Sequence, residues 1–377
     1  MAAEVVRGRL VLREAVVPGR ITIEDGWIAI VELDEDDAEA SAGSLVAPGF
    51  VDVHVHGWGG HDATGDATAL SGMARALLRH GVTSFLPTAP SLSTDELPCF
   101  ADRVREWMSG APTDGAEPLG FNLEGPFLSP ERRGAHDPRV LRTPAEMDAA
   151  VIEPLLDGLR VITIAPELPG ALALIGRLAG RGIVVSLGHS AATLDEARAG
   201  YRAGARSTTH VCNAMTGLDH RLPGLAAAAL TDDAVFAELV ADGNHVHPAL
   251  WPLLIRAKPP GRLLLVSDAL PMAGMGDGRA TLGGLAVEVR AGRATLLGSG
   301  TLAGSTIALD AAVRNLVLEG TPLPAAVAAA SANPAAMLGE ADRGRIEPGR
   351  LAHLVELDPD LRVRRVTRGS GWIDARP

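Results

Sequence analysis

The chain has 377 residues, 47% of them hydrophobic and 21% charged, and a formal net charge of -12 at pH 7. That length accommodates a barrel of about 250 residues plus an appendage, and the acidic balance disfavours nucleic acid and anionic membrane as partners, because phosphate surfaces reward basic proteins. Two cysteines, Cys99 and Cys212, in no metal or redox spacing, an N-terminus without a signal-peptide core and the lack of any membrane-length apolar run make the cytoplasm the expected compartment.

Residues 1–47 include RGRLVLREAVVPGRITIEDGWIAIVEL, which alternates like strands between Gly, Pro and Asp turns and has no helical period. At 50–60 the sequence FVDVHVHGWGG alternates Val51, Val53 and Val55 with Asp52, His54 and His56. Side chains two apart on a strand share a face, so His54 and His56 can converge on one point that suits a metal. Seven further short apolar runs follow: GVTSFLPT, LGFNLEGPF, RVITIAPE, GIVVSLGHS, STTHVCNAM, FAELVADGNHV and RLLLVSDA. Between them lie segments such as ATALSGMARALLRH and ATLDEARAGYRAG, whose apolar residues recur at three and four.

The steps from His54 to Asp268 average about 31 residues, close to the roughly 30 that one βαβ unit needs. Eight such units predict an α/β fold with a TIM-type (β/α)8 barrel over 48–338. An open doubly wound sheet is the alternative, weakened because no glycine-rich dinucleotide fingerprint follows the first strand. Residues 283–300, GGLAVEVRAGRATLLGSG, read as a hairpin inserted after the eighth strand, with AGR as its turn. The tail, 339–377, returns to strand-like alternation and is expected to join residues 1–47 in a small β-sandwich domain.

His54, His56, Glu124, His189, His210, His245 and Asp268 all fall near C-terminal ends of predicted strands, which in a barrel meet at one mouth. Imidazole nitrogen with carboxylate oxygen suits Zn²⁺, Fe²⁺, Co²⁺ or Mn²⁺. Each residue has a plainer reading. A single strand histidine is usually a hydrogen-bonded core residue, Glu124 could pair with Arg132 or Arg133, and Asp268 could cap the next helix. Their concentration at one rim favours the metal.

The segments HVHGWGG, NLEGPFLSPERRGAHDP, LGHS, THVCNAM, DGNHVHP, VSDA and TLAGS, in this order, resemble the N-acetylglucosamine-6-phosphate deacetylases of the amidohydrolase superfamily over nearly the whole chain. HxH alone is a weak signal; LEGPF followed by GAHDP and HVCNAM is specific. The resemblance implies that Glu124, His189 and His210 hold a main divalent metal, Zn²⁺ foremost, and that His54 and His56 complete a second site with Glu124 bridging and Asp268 beside it. One or two ions per subunit are therefore expected. It implies removal of acetyl from N-acetyl-D-glucosamine 6-phosphate by water activated at the metal, with Asp268 as acid and base and His136 stabilising the oxyanion.

For this amino-sugar phosphate the resemblance points to Ala135 and His136 of GAHDP, Asn213 and Ala214 of CNAM, Arg221, His245, and Leu302 and Ala303 of TLAGS, in a homodimer. Arg221 offers a planar fork suited to phosphate oxygens. In the tail, His353 stands where the superfamily usually has Asp. Two other readings compete: a related amidohydrolase acting on another N-acyl or cyclic amide, and a non-catalytic scaffold. The cyclic-amide reading requires a lysine at the rim, and the only lysine is Lys258. The full ligand set disfavours the scaffold.

Overall fold

Eight parallel strands occupy the centre of the computed structural model, which describes residues 3–375. They are β1 (Phe50–Val55), β2 (Val82–Ala89), β3 (Phe121–Glu124), β4 (Leu159–Ile164), β5 (Val184–Leu187), β6 (Ser207–Thr208), β7 (Phe236–Leu239) and β8 (Leu263–Leu265), each paired with the next. Nearly every residue in them is buried, as strands covered on both faces must be. The strands follow the eight apolar runs to within a residue, and some stop early: STTHVCNAM keeps only Ser207–Thr208 in the ladder, because the backbone turns at His210.

Helices cover the outside. Ala67–Leu78 starts where the Asp66 carboxylate accepts the Ala69 N–H, and it buries Leu70, Met73, Ala74, Leu77 and Leu78 on one stripe. Leu194–Ala203 opens on a capping box between Thr193 and Glu196 and closes at Gly204, whose φ of 123° is open to glycine. No helix among the described residues is long and apolar enough to cross a membrane.

The barrel interior is layered. Its floor is apolar, with Val51, Leu86, Val161, Val184, Phe236 and Leu264 in one cluster that Met337 and Leu338 of the helix Ala332–Leu338 join. Further along, the interior positions on or just past β4 to β7 are polar and buried: Thr163, Ser186, Thr209 and Glu238. Thr163 and Thr209 are joined through their hydroxyls at 2.8 Å, and Thr209 donates to Ser186 at 2.8 Å. Above this layer the strands end at the mouth.

The seam between β8 and β1 is held differently from the rest. The Asp268 N–H donates to the His54 carbonyl at 2.8 Å, and the His56 and Gly57 N–H groups both donate to the Ala269 carbonyl at 2.9 Å. Below them Asp52 Oδ1 accepts the N–H groups of His54 and Ser267, each at 3.3 Å. A side chain thus does what a backbone ladder does elsewhere, and burial pushes its carboxyl up to about 6.

The two chain ends form one seven-stranded sheet in the order Trp372–Asp374, Val363–Arg368, His353–Leu357, Leu45–Pro48, Glu4–Val11, Val16–Glu24, Trp27–Leu33. Ile28 N–H donates to Arg350 and Ala352 N–H to the Gly26 carbonyl, so the edge strand curls back to the residues before His353 and the sheet covers its own apolar face. After β8 the chain builds a three-stranded flap, Gly278–Leu282, Leu285–Arg290 and Arg293–Leu296. That is one strand more than the hairpin expected at 283–300. The run GRATL carries too few apolar residues to read as a strand by itself.

Asp52→Ala should destabilise the protein by about 2 to 4 kcal/mol, since it strands two buried N–H donors. Asp52→Asn, which keeps an acceptor and removes a buried charge, should cost under about 1 kcal/mol. Urea unfolding of the two variants measures the difference.

Candidate metal centre

Glu124 ends β3, His189 and His210 lie two residues beyond β5 and β6, and Asp268 lies three beyond β8. His54 and His56 leave the end of β1. His189, His210 and Asp268 have φ of 45°, 27° and 50°. Residues other than glycine adopt this left-handed region at a cost of about 1–3 kcal/mol each. The turn aims each side chain back over the mouth instead of along the strand.

The side chains meet around Glu124. Its Oε1 is 3.0 Å from His189 Nε2, 2.9 Å from His210 Nε2 and 3.6 Å from His54 Nε2. Its Oε2 is 3.2 Å from His56 Nε2 and 3.1 Å from His136 Nε2. Asp268 Oδ1 stands 3.3 Å from His56 Nε2 and 3.6 Å from His54 Nε2. Neither Arg132 nor Arg133 pairs with Glu124, so the ion-pair reading of that carboxylate fails.

The outer ring nitrogens set the tautomers. His56 Nδ1 faces the Thr88 carbonyl at 3.0 Å, His189 Nδ1 the Arg132 carbonyl at 2.8 Å and His54 Nδ1 the Glu238 carboxylate at 3.2 Å. A carbonyl or carboxylate accepts only, so each Nδ1 carries a proton and Nε2 is left as the nitrogen of each ring that can ligate an ion. His189 and His210 bring their Nε2 atoms within 3.0 Å of each other, a contact that a cation between lone pairs makes favourable. His136 is the reverse. Its Nδ1 accepts the Ser91 N–H at 3.1 Å, so its Nε2 carries the hydrogen toward Glu124. Burial pushes this ring down to about 4, which keeps it a neutral donor at neutral pH. Although His136 stands close enough to share an ion with Glu124 and His189, its tautomer favours His210 as the third ligand.

The field of the site selects positive charge. Burial alone would lower the His54 ring, but Glu124, Glu238 and Asp268 hold it well above the usual histidine range. Burial alone would raise the Asp268 carboxyl, but His56 and His54 hold it below the usual carboxylate range, so it is ionised. A divalent cation fits these donors in both type and charge.

A cleft of about 320 Å³ opens over the cluster, lined among others by Ala135, His136, Asn213, Ala214, His245 and Leu302. Gly134 comes so close that a Cβ there would meet His189 Cε1 at 3.0 Å. The flap supplies one wall through Leu282, and the TLAGS segment after it adds Thr301 and Leu302. Two expected residues are not brought here. Ala303 is buried in the apolar core of the flap, with Leu282 and Val287, and does not line the cleft. Arg221 sits on an exposed loop, its N–H on Asp219, and does not line the cleft. A larger cavity of about 530 Å³ between the chain-end sheet and the barrel gathers no comparable donor set among the described residues, and its Lys258 spends Nζ on the Ala229 and Asp232 carbonyls.

Several contributors had no place among the expected residues. Arg132 lines the cleft. Glu167 accepts from the Ser190 hydroxyl and the Ala191 N–H and so fixes the turn after His189. Asp242 Oδ2 holds His245 Nδ1 at 2.8 Å, leaving His245 Nε2 3.6 Å from Asp268 Oδ2. Glu238 was visible as a carboxylate inside the apolar run FAELV, and Asp242 as an acid three residues before a histidine. The carbonyls of Thr88 and Arg132 have no sequence signal.

Residues 45–370 match the amidohydrolase family. The chain is 40% identical to the N-acetylgalactosamine-6-phosphate deacetylase of Escherichia coli O157:H7, over 95% of this chain and 94% of that protein. It is 39% identical to the human N-acetylglucosamine-6-phosphate deacetylase, over 96% and 91%. Among solved structures, N-acetylglucosamine-6-phosphate deacetylase of Thermotoga maritima superposes with a TM-score of 0.91 at 34% identity, covering 98% of this chain and 99% of its own. An aspartate-to-alanine variant of the Mycobacterium smegmatis enzyme, in complex with N-acetyl-D-glucosamine 6-phosphate, gives 0.91 at 35% identity and 99% coverage of both.

The tautomers separate ligand from donor. His136→Gln should keep the ion content of the parent, whereas His189→Ala should lose at least one ion per chain, as elemental analysis of the purified proteins will show. An emptied centre in His136→Gln would make His136 a ligand after all.

Proposed function

This chain belongs to the amidohydrolase family, and we propose that it hydrolyses the acetamide of N-acetyl-D-glucosamine 6-phosphate, giving D-glucosamine 6-phosphate and acetate. The observation that carries this reading is the convergence of Glu124 and the inward imidazole nitrogens beside Asp268, under a cleft lined by Ala135, His136, Asn213, Ala214, Thr301 and Leu302. Glu124, His189 and His210 would hold one divalent ion, and His54 and His56, with Glu124 bridging, a second. Zn²⁺ is the first candidate and Fe²⁺, Co²⁺ or Mn²⁺ the alternatives. Such an ion polarises an amide carbonyl and brings the pKa of bound water toward about 7.

The protein's own groups do the rest. Asp268 is buried, ionised and at the floor of the cleft, placed to accept a proton from the attacking water and to pass it to the amine nitrogen as the C–N bond breaks. His136 Nε2–H donates toward the carbonyl oxygen as negative charge develops on it. His245, held by Asp242, borders the second oxygen of Asp268. For the phosphate, Arg132 supplies a cationic group at the cleft; Arg221, outside the cleft of this chain, would serve from the neighbouring subunit of a homodimer. Leu302 bounds the space for the acetyl methyl. We place the enzyme in the cytoplasm as a homodimer, in amino-sugar breakdown.

A second reading concerns the sugar. Identity of 40% to the Escherichia coli O157:H7 relative favours N-acetyl-D-galactosamine 6-phosphate as a further substrate.

Acetate release from both 6-phosphates and from the plain sugars tests these readings. The expected result is a kcat/KM at least about a hundredfold higher for a phosphorylated sugar and loss of activity on chelation; equal rates on the plain sugars would remove the phosphate reading. Asp268→Asn should keep its fold and lose about 10² to 10⁴ in kcat. Full turnover by that variant would take the proton shuttle away from Asp268.

A further inference from the structure

We infer that Glu238 is a positioning residue that ties the two halves of the metal centre to one buried carboxylate. The inference rests on the proposed function only in taking the cluster to bind metal; it does not depend on the sugar.

Glu238 lies in β7 and is fully buried. Its Oε2 is 3.2 Å from His54 Nδ1 and accepts the His210 N–H, also at 3.2 Å. Its Oε1 has no hydrogen-bond partner, and no arginine or lysine among the described residues pairs with it. A buried carboxyl group with one oxygen unpartnered is costly, and an apolar residue of similar volume usually serves stability better. On the neighbouring strands the buried polar residues Thr163, Ser186 and Thr209 are neutral and satisfy one another. The carboxyl group at 238 therefore needs a reason beyond packing.

The reason is on its two partners. Among the proposed metal ligands, His56 and His189 rest their Nδ1–H on neutral carbonyls, whereas His54 rests on a carboxylate. An anionic acceptor fixes the ring and raises the donor strength of the opposite nitrogen, here the Nε2 that faces Glu124 and Asp268. His210 has the opposite problem. Its Nδ1 is buried without a partner, so no outer hydrogen bond holds the ring in place. Its orientation depends on a left-handed backbone whose N–H is held by the same Glu238 oxygen. One carboxylate thus sets a ligand of each candidate ion position.

The test is a Zn²⁺ titration of the chelator-stripped full chain against a competing chromophoric chelator, for the parent, Glu238→Gln and Glu238→Leu, with circular dichroism to report folding. We expect two ions in the parent and a tenfold to hundredfold weaker affinity for at least one of them in Glu238→Gln, with a larger loss in Glu238→Leu. On the best sugar phosphate, kcat should fall while KM stays within about twofold. A folded Glu238→Gln whose titration overlays the parent overturns the inference, as does a parent that takes up fewer than two ions. Should Glu238→Leu fail to fold, the Gln comparison decides alone. Because no sugar is present in the titration, a parent that binds two ions yet releases no acetate would overturn the substrate reading without touching this one.

Discussion

Glu124 is a buried carboxylate with the imidazoles of His54, His56, His136, His189 and His210 all within 3.6 Å of its oxygens. Among the described residues, no second cluster concentrates so much unmatched polarity in so little space. Without a cation, lone pairs of neighbouring rings confront one another; with one, the same atoms become a coordination sphere. Much of the fold acts to keep these groups in place against their mutual repulsion.

Three devices do this. Strand closure gives the coarse position, since residues from β1, β3, β5, β6 and β8 become neighbours only at a shared mouth. Left-handed backbone at His189, His210 and Asp268 gives the direction, at a local cost that the apolar floor and the covering helices offset. Hydrogen-bond partners on the far side of the rings give the tautomer: Thr88, Arg132 and Glu238 accept from the inward rings, and the Ser91 N–H donates to His136. The last contrast separates metal ligand from hydrogen-bond donor among rings that look alike in sequence.

The barrel was legible because its cause is periodic. Eight buried strands must read as apolar runs, and helices between them must repeat at three and four. The HxH pair and Glu124 were legible because a polar side chain at the end of a buried apolar run is costly unless something pairs with it or binds it. What escaped is the part built by loops and backbone. The ladder-free seam at Asp52, the carbonyls behind His56 and His189, and the burial of Ala303 depend on where the chain bends, and bending leaves little trace in residue type. Arg221 shows the converse: a guanidinium well suited to phosphate in chemistry stands outside the cleft of this single chain. Glu238 was in plain sight as an acid within FAELV, but an isolated acid in a strand does not name its partner, which lies 184 residues away at His54.

Anomalous diffraction at the zinc edge from crystals of the Zn²⁺-loaded protein measures the central claim most directly. A strong peak is expected, bounded by Glu124, His189 Nε2 and His210 Nε2, with His136 outside its coordination shell. A map without a peak there, or with the ion held by His136 in place of His210, would contradict it.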